Sequence, residues 1–196
     1  MPRYFLLLLL LFALGACGRS TPTQYYLFQT SPQGVKTDAL PAKNLRVGQV
    51  NVPGYLDRSG IVSRMPDSAE IVVAEFHVWA EPVADGIRRT VQEALAPLLL
   101  PVGINTPAPG DDSDSEYVLA LDVQRFEGIL GEQAVLEVRW TLRGRHEKLL
   151  GRGIYADSEA TARNTHEELV RAQNRMLLRM CVRLGELLPT LIRRAS

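Results

Sequence analysis

The chain has 196 residues, of which 46% are hydrophobic, and its 22 basic residues balance 22 acidic ones. That length fits one domain with a sizeable core, and the balanced charge argues against a nucleic-acid partner. There are two cysteines, Cys17 and Cys181, too few for a disulfide framework if Cys17 is used in another way.

The first seventeen residues have the pattern of a bacterial lipoprotein signal. Arg3 precedes an apolar run over residues 4–14, which is shorter than the roughly 20 residues that a membrane helix needs. Residues 14–17 read Leu-Gly-Ala-Cys, which is the lipobox pattern of a branched apolar residue, two small residues and a cysteine. We therefore predict a signal peptide over residues 1–16 and a covalent lipid on Cys17.

The lipid also predicts a location. Two or more acyl chains anchor a protein stably, whereas one chain is marginal. Gly18 follows the cysteine, and aspartate at that position would favour retention in the inner membrane. We expect the protein on the periplasmic side of the outer membrane. The alternatives are an ordinary signal peptide with an incidental cysteine and a buried apolar segment.

After a polar tether over residues 17–23, we predict one domain over residues 24–196. Aromatic residues mark a first strand at 24–29, and a second strand covers 45–52. The apolar phase of the second strand shifts between Val47 and Val50, which indicates a bulge or an early strand end. A turn-rich segment follows at 53–60, where the apolar residues either fold back on the core or form an exposed docking loop.

Residues 61–64 and 70–74 are predicted to form a hairpin. A helix should then begin at Pro82 and either end or kink near Ala96, because Pro97 lacks the N–H that would continue it. Trp79, just before this helix, is more typical of a core residue than of a contact residue.

Three strands are predicted in the second half, at residues 117–124, 134–143 and 149–156. A long helix opens at Thr165, where Glu168 completes a capping box, and Pro189 is expected to shorten it. Cys181 lies in its apolar pattern and should be buried and inert. The fold class is therefore α+β, a single domain with a mostly antiparallel sheet and two helices packed on one face.

No pattern in the sequence is typical of a catalytic or metal site, so we predict that the protein is not an enzyme and needs no cofactor beyond the lipid on Cys17. Four carboxylates could form a glycosidase pair, but the sequence cannot set their separation: Glu75, Glu81, Asp122 and Glu127. On the last helix, arginines recur every four residues from Arg171 to Arg183. This stripe is more typical of a solvated face than of a binding surface.

A series of short motifs runs through the chain in a fixed order. They are Tyr25-Tyr26-Leu27-Phe28, Val52-Pro53-Gly54-Tyr55-Leu56-Asp57-Arg58, Ile61-Val62-Ser63-Arg64, Trp79-Ala80-Glu81-Pro82, Phe126-Glu127-Gly128 and the strand from Ala134 to Trp140. Together with the lipobox, they resemble the ABC-type transport auxiliary lipoprotein family, which includes the PqiC-type outer-membrane lipoproteins. The resemblance covers essentially the whole mature chain.

This resemblance implies a role without catalysis. Members of the family work with proteins of the mammalian-cell-entry (MCE) type and with inner-membrane transporter components, in systems implicated in moving lipids or other hydrophobic molecules across the envelope. It also implies a homo-oligomeric ring. We expect the partner-binding surface at Tyr55, Leu56, Asp57 and Arg58.

Two alternatives remain open at this stage. A lipid-binding periplasmic chaperone would need an apolar pocket, walled by Leu136, Trp140 and Met180. An envelope hydrolase would need a catalytic carboxylate or histidine, which no motif identifies.

Overall fold

The helices and strands follow the apolar pattern of the chain, and a computed structural model describes residues 21–30, 43–108 and 115–195. In chain order the elements are β1 (Gln24–Tyr26), β2 (Lys43–Asn51), β3 (Gly60–Arg64), β4 (Ile71–Trp79), α1 (Val83–Leu99), β5 (Ile104–Asn105), β6 (Tyr117–Ile129), β7 (Gln133–Arg143), β8 (Leu149–Ala160) and α2 (His166–Ala195). The signal peptide, Cys17 and most of the tether lie outside the described residues.

The described strands form two sheets. The larger has the order β5-β2-β6-β7-β8 and the smaller β1-β4-β3. Strands β6, β7 and β8 make a long antiparallel meander, whereas β2 runs parallel to both β5 and β6. The single α+β domain is confirmed. The division into two sheets and the parallel central strand go beyond the prediction.

Both helices pack against the larger sheet and against each other. Alternating residues of β6 and β7 supply the buried side of that sheet, among them Leu119, Leu121, Leu136 and Val138. Since side chains alternate between the faces of a strand, the residues between these point away from the helices. Burial of this apolar face is the main driving force for the fold.

The irregularity predicted in β2 is confirmed, because the register between β2 and β6 shifts between Val47 and Val50. The hairpin of β3 and β4 is also confirmed. Trp79 is buried and its ring packs on those of Phe28 and Phe126. Burial raises the pKa of the Cys181 thiol to about 12, as expected of an inert core residue.

Neither proline ends its helix where predicted. Helix α1 continues past Pro97 to Leu99, and α2 continues past Pro189 to Ala195. Pro97 lies in the last turn of α1, so only two helical residues follow the hydrogen bond that it removes. Pro189 is buried, so apolar packing offsets its missing hydrogen bond.

Candidate functional site

The loop over residues 53–60 joins β2 to β3 and forms a tight turn. The backbone N–H groups of Leu56 and Asp57 both donate to the carbonyl of Pro53, at 2.8 and 3.1 Å. At the other end of the loop, the Trp79 N–H donates to the Ser59 carbonyl at 2.7 Å. The turn directs Leu56 into the core, where it is 3% exposed, and leaves residues 57–59 exposed.

A buried carboxylate holds this loop to the larger sheet. Glu127 Oε1 accepts hydrogen bonds from Arg64 Nε and Arg125 Nε, both at 2.9 Å. Its Oε2 accepts from the hydroxyl of Tyr55 at 2.9 Å and from the backbone N–H of Phe126 at 3.0 Å. We call Tyr55, Arg64, Arg125 and Glu127 the Glu127 cluster. It joins the loop, β3 and β6.

Glu127 is fully buried, while both arginines still reach solvent. Burial alone would raise its pKa, but the hydrogen bonds from its four partners outweigh burial and lower the pKa below the ordinary value of 4.5. Burial and the bond to Glu127 raise the pKa of Tyr55 to about 12. The carboxylate is therefore ionised and Tyr55 is protonated at neutral pH. This arrangement suits a structural anchor rather than a general acid or base.

The cluster depends on a bulge in β6, which the sequence prediction missed. The register between β6 and β7 shifts between Val123 and Arg125. Beyond it Phe126, Glu127 and Gly128 are all buried, so the simple alternation ends there. The signal in the sequence was the spacing of two core residues, Val123 and Phe126, by three positions rather than two.

The structure separates the four residues predicted to bind a partner. Tyr55 is half-buried and donates to Glu127, and Leu56 belongs to the core. Asp57 and Arg58 are exposed at the tip of the loop. The loop as a docking surface stays a prediction, but Leu56 is too buried to contribute a direct contact. Cys17, the predicted lipidation site, lies outside the described residues.

The arginine stripe on α2 is neutralised by carboxylates. Arg175 contacts Glu159 and Glu168, and Arg179 contacts Asp157 and Glu159. The first and last arginines of the stripe have partners within the helix, since Arg171 pairs with Glu167 and Arg183 with Glu186. The stripe therefore ties α2 to the edge strand β8, and it does not present a row of uncompensated positive charge.

The residues predicted to wall a lipid pocket do not surround one opening. Leu136 and Met180 are fully buried in the core. Trp140 borders a shallow groove of about 440 Å³ between β8 and α2, together with Gly153, Ile154, Leu184 and Leu187. Gly153 lies under the indole of Trp140, where a Cβ atom would come within 2.8 Å of the ring. The lack of a side chain there lets the backbone of β8 pack closely on the indole, and Trp140 is buried.

Two histidines stack where the smaller sheet meets the start of α2. The rings of His77 and His166 lie 4.2 Å apart with an angle of 20° between their planes. Tyr26 Oη lies 2.9 Å from His77 Nδ1 and so extends the contact to β1. Burial, followed by the charge of His77, lowers the pKa of His166 below its ordinary value of 6.5.

This shift predicts a loss of stability in mild acid. Unfolded chains bind a proton at His166 as the pH falls through about 6.5, while the folded protein resists protonation, so unfolding is favoured. Replacing His166 with glutamine should therefore reduce the fall in melting temperature between about pH 7 and pH 5. Thermal unfolding across this range checks it, with His146→Asn as the control because His146 is exposed. Equal pH profiles for the wild type and His166→Gln would contradict the assignment.

Within the described ranges, no group of three or more potential metal ligands is close enough to hold an ion. In the same part of the chain, none of the helices is long and apolar enough to cross a membrane.

Two solved structures share most of this fold. Protein XCC0632 from Xanthomonas campestris has a TM-score of 0.71 and 19% identity, over 89% of this chain and 99% of that one. A structure described only as an uncharacterized protein has a TM-score of 0.70 and 21% identity, over 86% and 99% of the two chains. At these identities the likeness supports the fold alone.

A PelC dodecamer from Paraburkholderia phytofirmans is a weaker match, with a TM-score of 0.40 and 14% identity over 77% of this chain and 93% of that one. Comparison with curated proteins gives no match.

The sequence profile of the ABC-type transport auxiliary lipoprotein component matches residues 25–184. The match begins at β1 and includes both sheets, α1, the 53–60 loop and the Glu127 cluster. This confirms the resemblance drawn from the sequence motifs, and the chain belongs to the family of ABC-type transport auxiliary lipoprotein components.

Proposed function

We propose that this protein is a docking subunit of an MCE-type ABC transport system, anchored in the outer membrane and facing the periplasm. The observation that carries the proposal is the family match over residues 25–184, because that family is described as a component of ABC-type transport. The system would move lipids or other hydrophobic molecules across the envelope.

The anchor in this proposal is Cys17. Removal of residues 1–16 would leave the cysteine at the new N-terminus, with lipid on its sulfur, and residues 17–23 would link it to the domain. Gly18 supports the outer membrane as the destination, since it is not the aspartate that favours retention in the inner membrane.

The docking surface in this proposal is the tip of the 53–60 loop. Asp57 and Arg58 are exposed there, and the Glu127 cluster beneath them holds the loop in one position. A preorganised loop loses less conformational entropy on binding than a flexible one. The partners would be an MCE-domain protein and, through it, the inner-membrane components. A homo-oligomeric ring is part of the proposal because the family resemblance implies it.

Site-specific photocrosslinking in cells tests this surface. A photoreactive residue at position 57 or 58 should crosslink to an MCE-domain protein identified by mass spectrometry. The matched control is position 152, because Arg152 is exposed on β8, at the far edge of the larger sheet from β5. Crosslinks to the same partner in equal yield from all three positions would contradict a docking role for the loop.

A further inference from the structure

The smaller sheet carries much of the exposed apolar surface of the described residues. Seven large apolar side chains on or beside its three strands are exposed by more than a third: Tyr25, Leu27, Met65, Ile71, Val72, Val73 and Phe76. Large exposed apolar patches in soluble domains mark sites of interaction with a protein or a membrane. A docking role for the loop at 53–60 does not account for the exposed apolar side chains of the smaller sheet, so they require a separate explanation.

The strand register places two of these residues, Tyr25 and Phe76, on one face of the sheet. Tyr25 pairs with Val78 across the parallel β1–β4 ladder, so both side chains lie on one face of the sheet, and Phe76 lies on that face two residues earlier. The other face carries Tyr26, His77 and Trp79, which pack inward. Tyr25 is 70% exposed and Leu27, just beyond it, is half-exposed. We call Tyr25, Leu27 and Phe76 the outer sheet face.

The position of this face along the chain indicates what covers it. Six residues separate β1 from Cys17, and a fully extended tether of that length spans at most about 25 Å. If Cys17 carries lipid, as the proposed function requires, β1 cannot lie far from the bilayer. The outer sheet face is then the apolar surface closest in sequence to the membrane.

We propose that the outer sheet face rests on the surface of the bilayer that holds the lipid of Cys17. Tyrosine suits this position, because its ring is apolar and its hydroxyl can remain among the headgroups. The contact would orient the domain as well as tether it.

The charges near this face define the lipid chemistry. Arg171 and Arg175 border an opening together with Tyr25 and Leu27, but both arginines are paired with carboxylates. Asp67 and Glu70 are exposed at the β3–β4 turn, and an anionic surface would repel them. The contact therefore fits zwitterionic headgroups such as phosphatidylcholine or phosphatidylethanolamine. Because it depends on apolar burial, it should change little with ionic strength.

Depth measurements on the lipidated, full-length protein test the proposal. In that protein the Cys17 sulfur would be consumed by lipid and the Cys181 thiol is buried, so a newly introduced cysteine can be labelled selectively. An environment-sensitive fluorophore would be placed by Tyr25→Cys, Leu27→Cys or Phe76→Cys. The control is Ile154→Cys, because Ile154 is 63% exposed on β8. Each protein is reconstituted into phosphatidylcholine vesicles with and without spin-labelled lipid, and its fold is checked by circular dichroism.

We expect the spin-labelled lipid to quench the fluorophore at positions 25, 27 and 76 at least about threefold more than at position 154, as for residues at the headgroup boundary. Adding phosphatidylglycerol should not increase this quenching. Equal quenching at positions 25 and 154 would overturn the proposal. So would a fluorophore at position 25 that is shielded from water but not quenched by lipid, because a protein would then cover the face.

Flotation of the wild type with the same vesicles separates the two proposals. Failure to float would contradict the lipid anchor, and it would also contradict the contact between the outer sheet face and the bilayer. Flotation with equal quenching at all positions would contradict only the outer sheet face and would leave the proposed function intact.

Discussion

Replacing Glu127 with alanine is expected to destabilise the domain by about 3 kcal/mol, which corresponds to a fall in melting temperature of roughly 6–12 °C. The carboxylate accepts four hydrogen bonds, from Arg64, Arg125, Tyr55 and the Phe126 N–H. Its loss leaves the buried Phe126 N–H without this acceptor and releases the loop from β6. Thermal and chemical unfolding measure the effect.

Two further variants make this prediction specific. Glu127→Gln keeps the shape but loses the charge, so an intermediate effect is expected, because charge-assisted hydrogen bonds are the stronger ones. Glu147→Ala removes an exposed partner of Arg143 and should change the melting temperature by less than about 2 °C. Equal effects of Glu127→Ala and Glu147→Ala would show that the cluster does not hold the loop.

Replacing Cys17 with alanine is expected to release the protein from the membrane completely while leaving the domain folded. The variant should be exported behind a signal peptide that is cleaved without lipidation. In our proposal the acyl chains supply the stable anchor, and the exposed apolar face alone adds only a weak contact. Fractionation of periplasm and membranes measures the first effect, and circular dichroism measures the second.

The matched control is Cys181→Ala, which removes the other thiol. Cys181 is 1% exposed, so this change should reduce stability slightly and leave the protein in the membrane fraction. If the Cys17→Ala protein fully restores transport in cells that lack the wild type, the lipid determines only where the protein is located, and the proposed mechanism is wrong.

The sequence predicted features that depend on local patterns. Alternation along residues 134–143 identified β7, and the change of apolar phase between Val47 and Val50 identified the irregularity in β2. The capping box is also present in part, since Thr165 Oγ1 accepts from the Glu168 N–H. Each of these features is set by residues that lie close together in the chain.

Features that depend on distant residues could not be predicted in the same way. Strand β2 pairs with β6 across the β3–β4 hairpin and α1, and alternation shows which side of a strand is buried but not which strand lies beside it. Strand β5 has two residues and was missed because it is too short to show a period.

The candidate site shows the same limit. Tyr55 and Glu127 lie 72 positions apart, and no spacing rule connects a turn tyrosine to a strand carboxylate. Residues 55–58 therefore do not form one exposed surface, and their role in binding a partner stays a prediction. Packing takes Leu56 into the core, the hydrogen bond to Glu127 holds Tyr55, and only Asp57 and Arg58 remain fully exposed.

The central claim is that this domain docks an MCE-type transport partner at the outer membrane. The most direct test is recovery of the lipidated protein from membranes after crosslinking in the periplasm, followed by mass spectrometry of what is recovered with it. Our account predicts an MCE-domain protein together with inner-membrane ABC components, and much less of both from cells that produce the Cys17→Ala protein. Recovery of neither class of partner from wild-type membranes would contradict it.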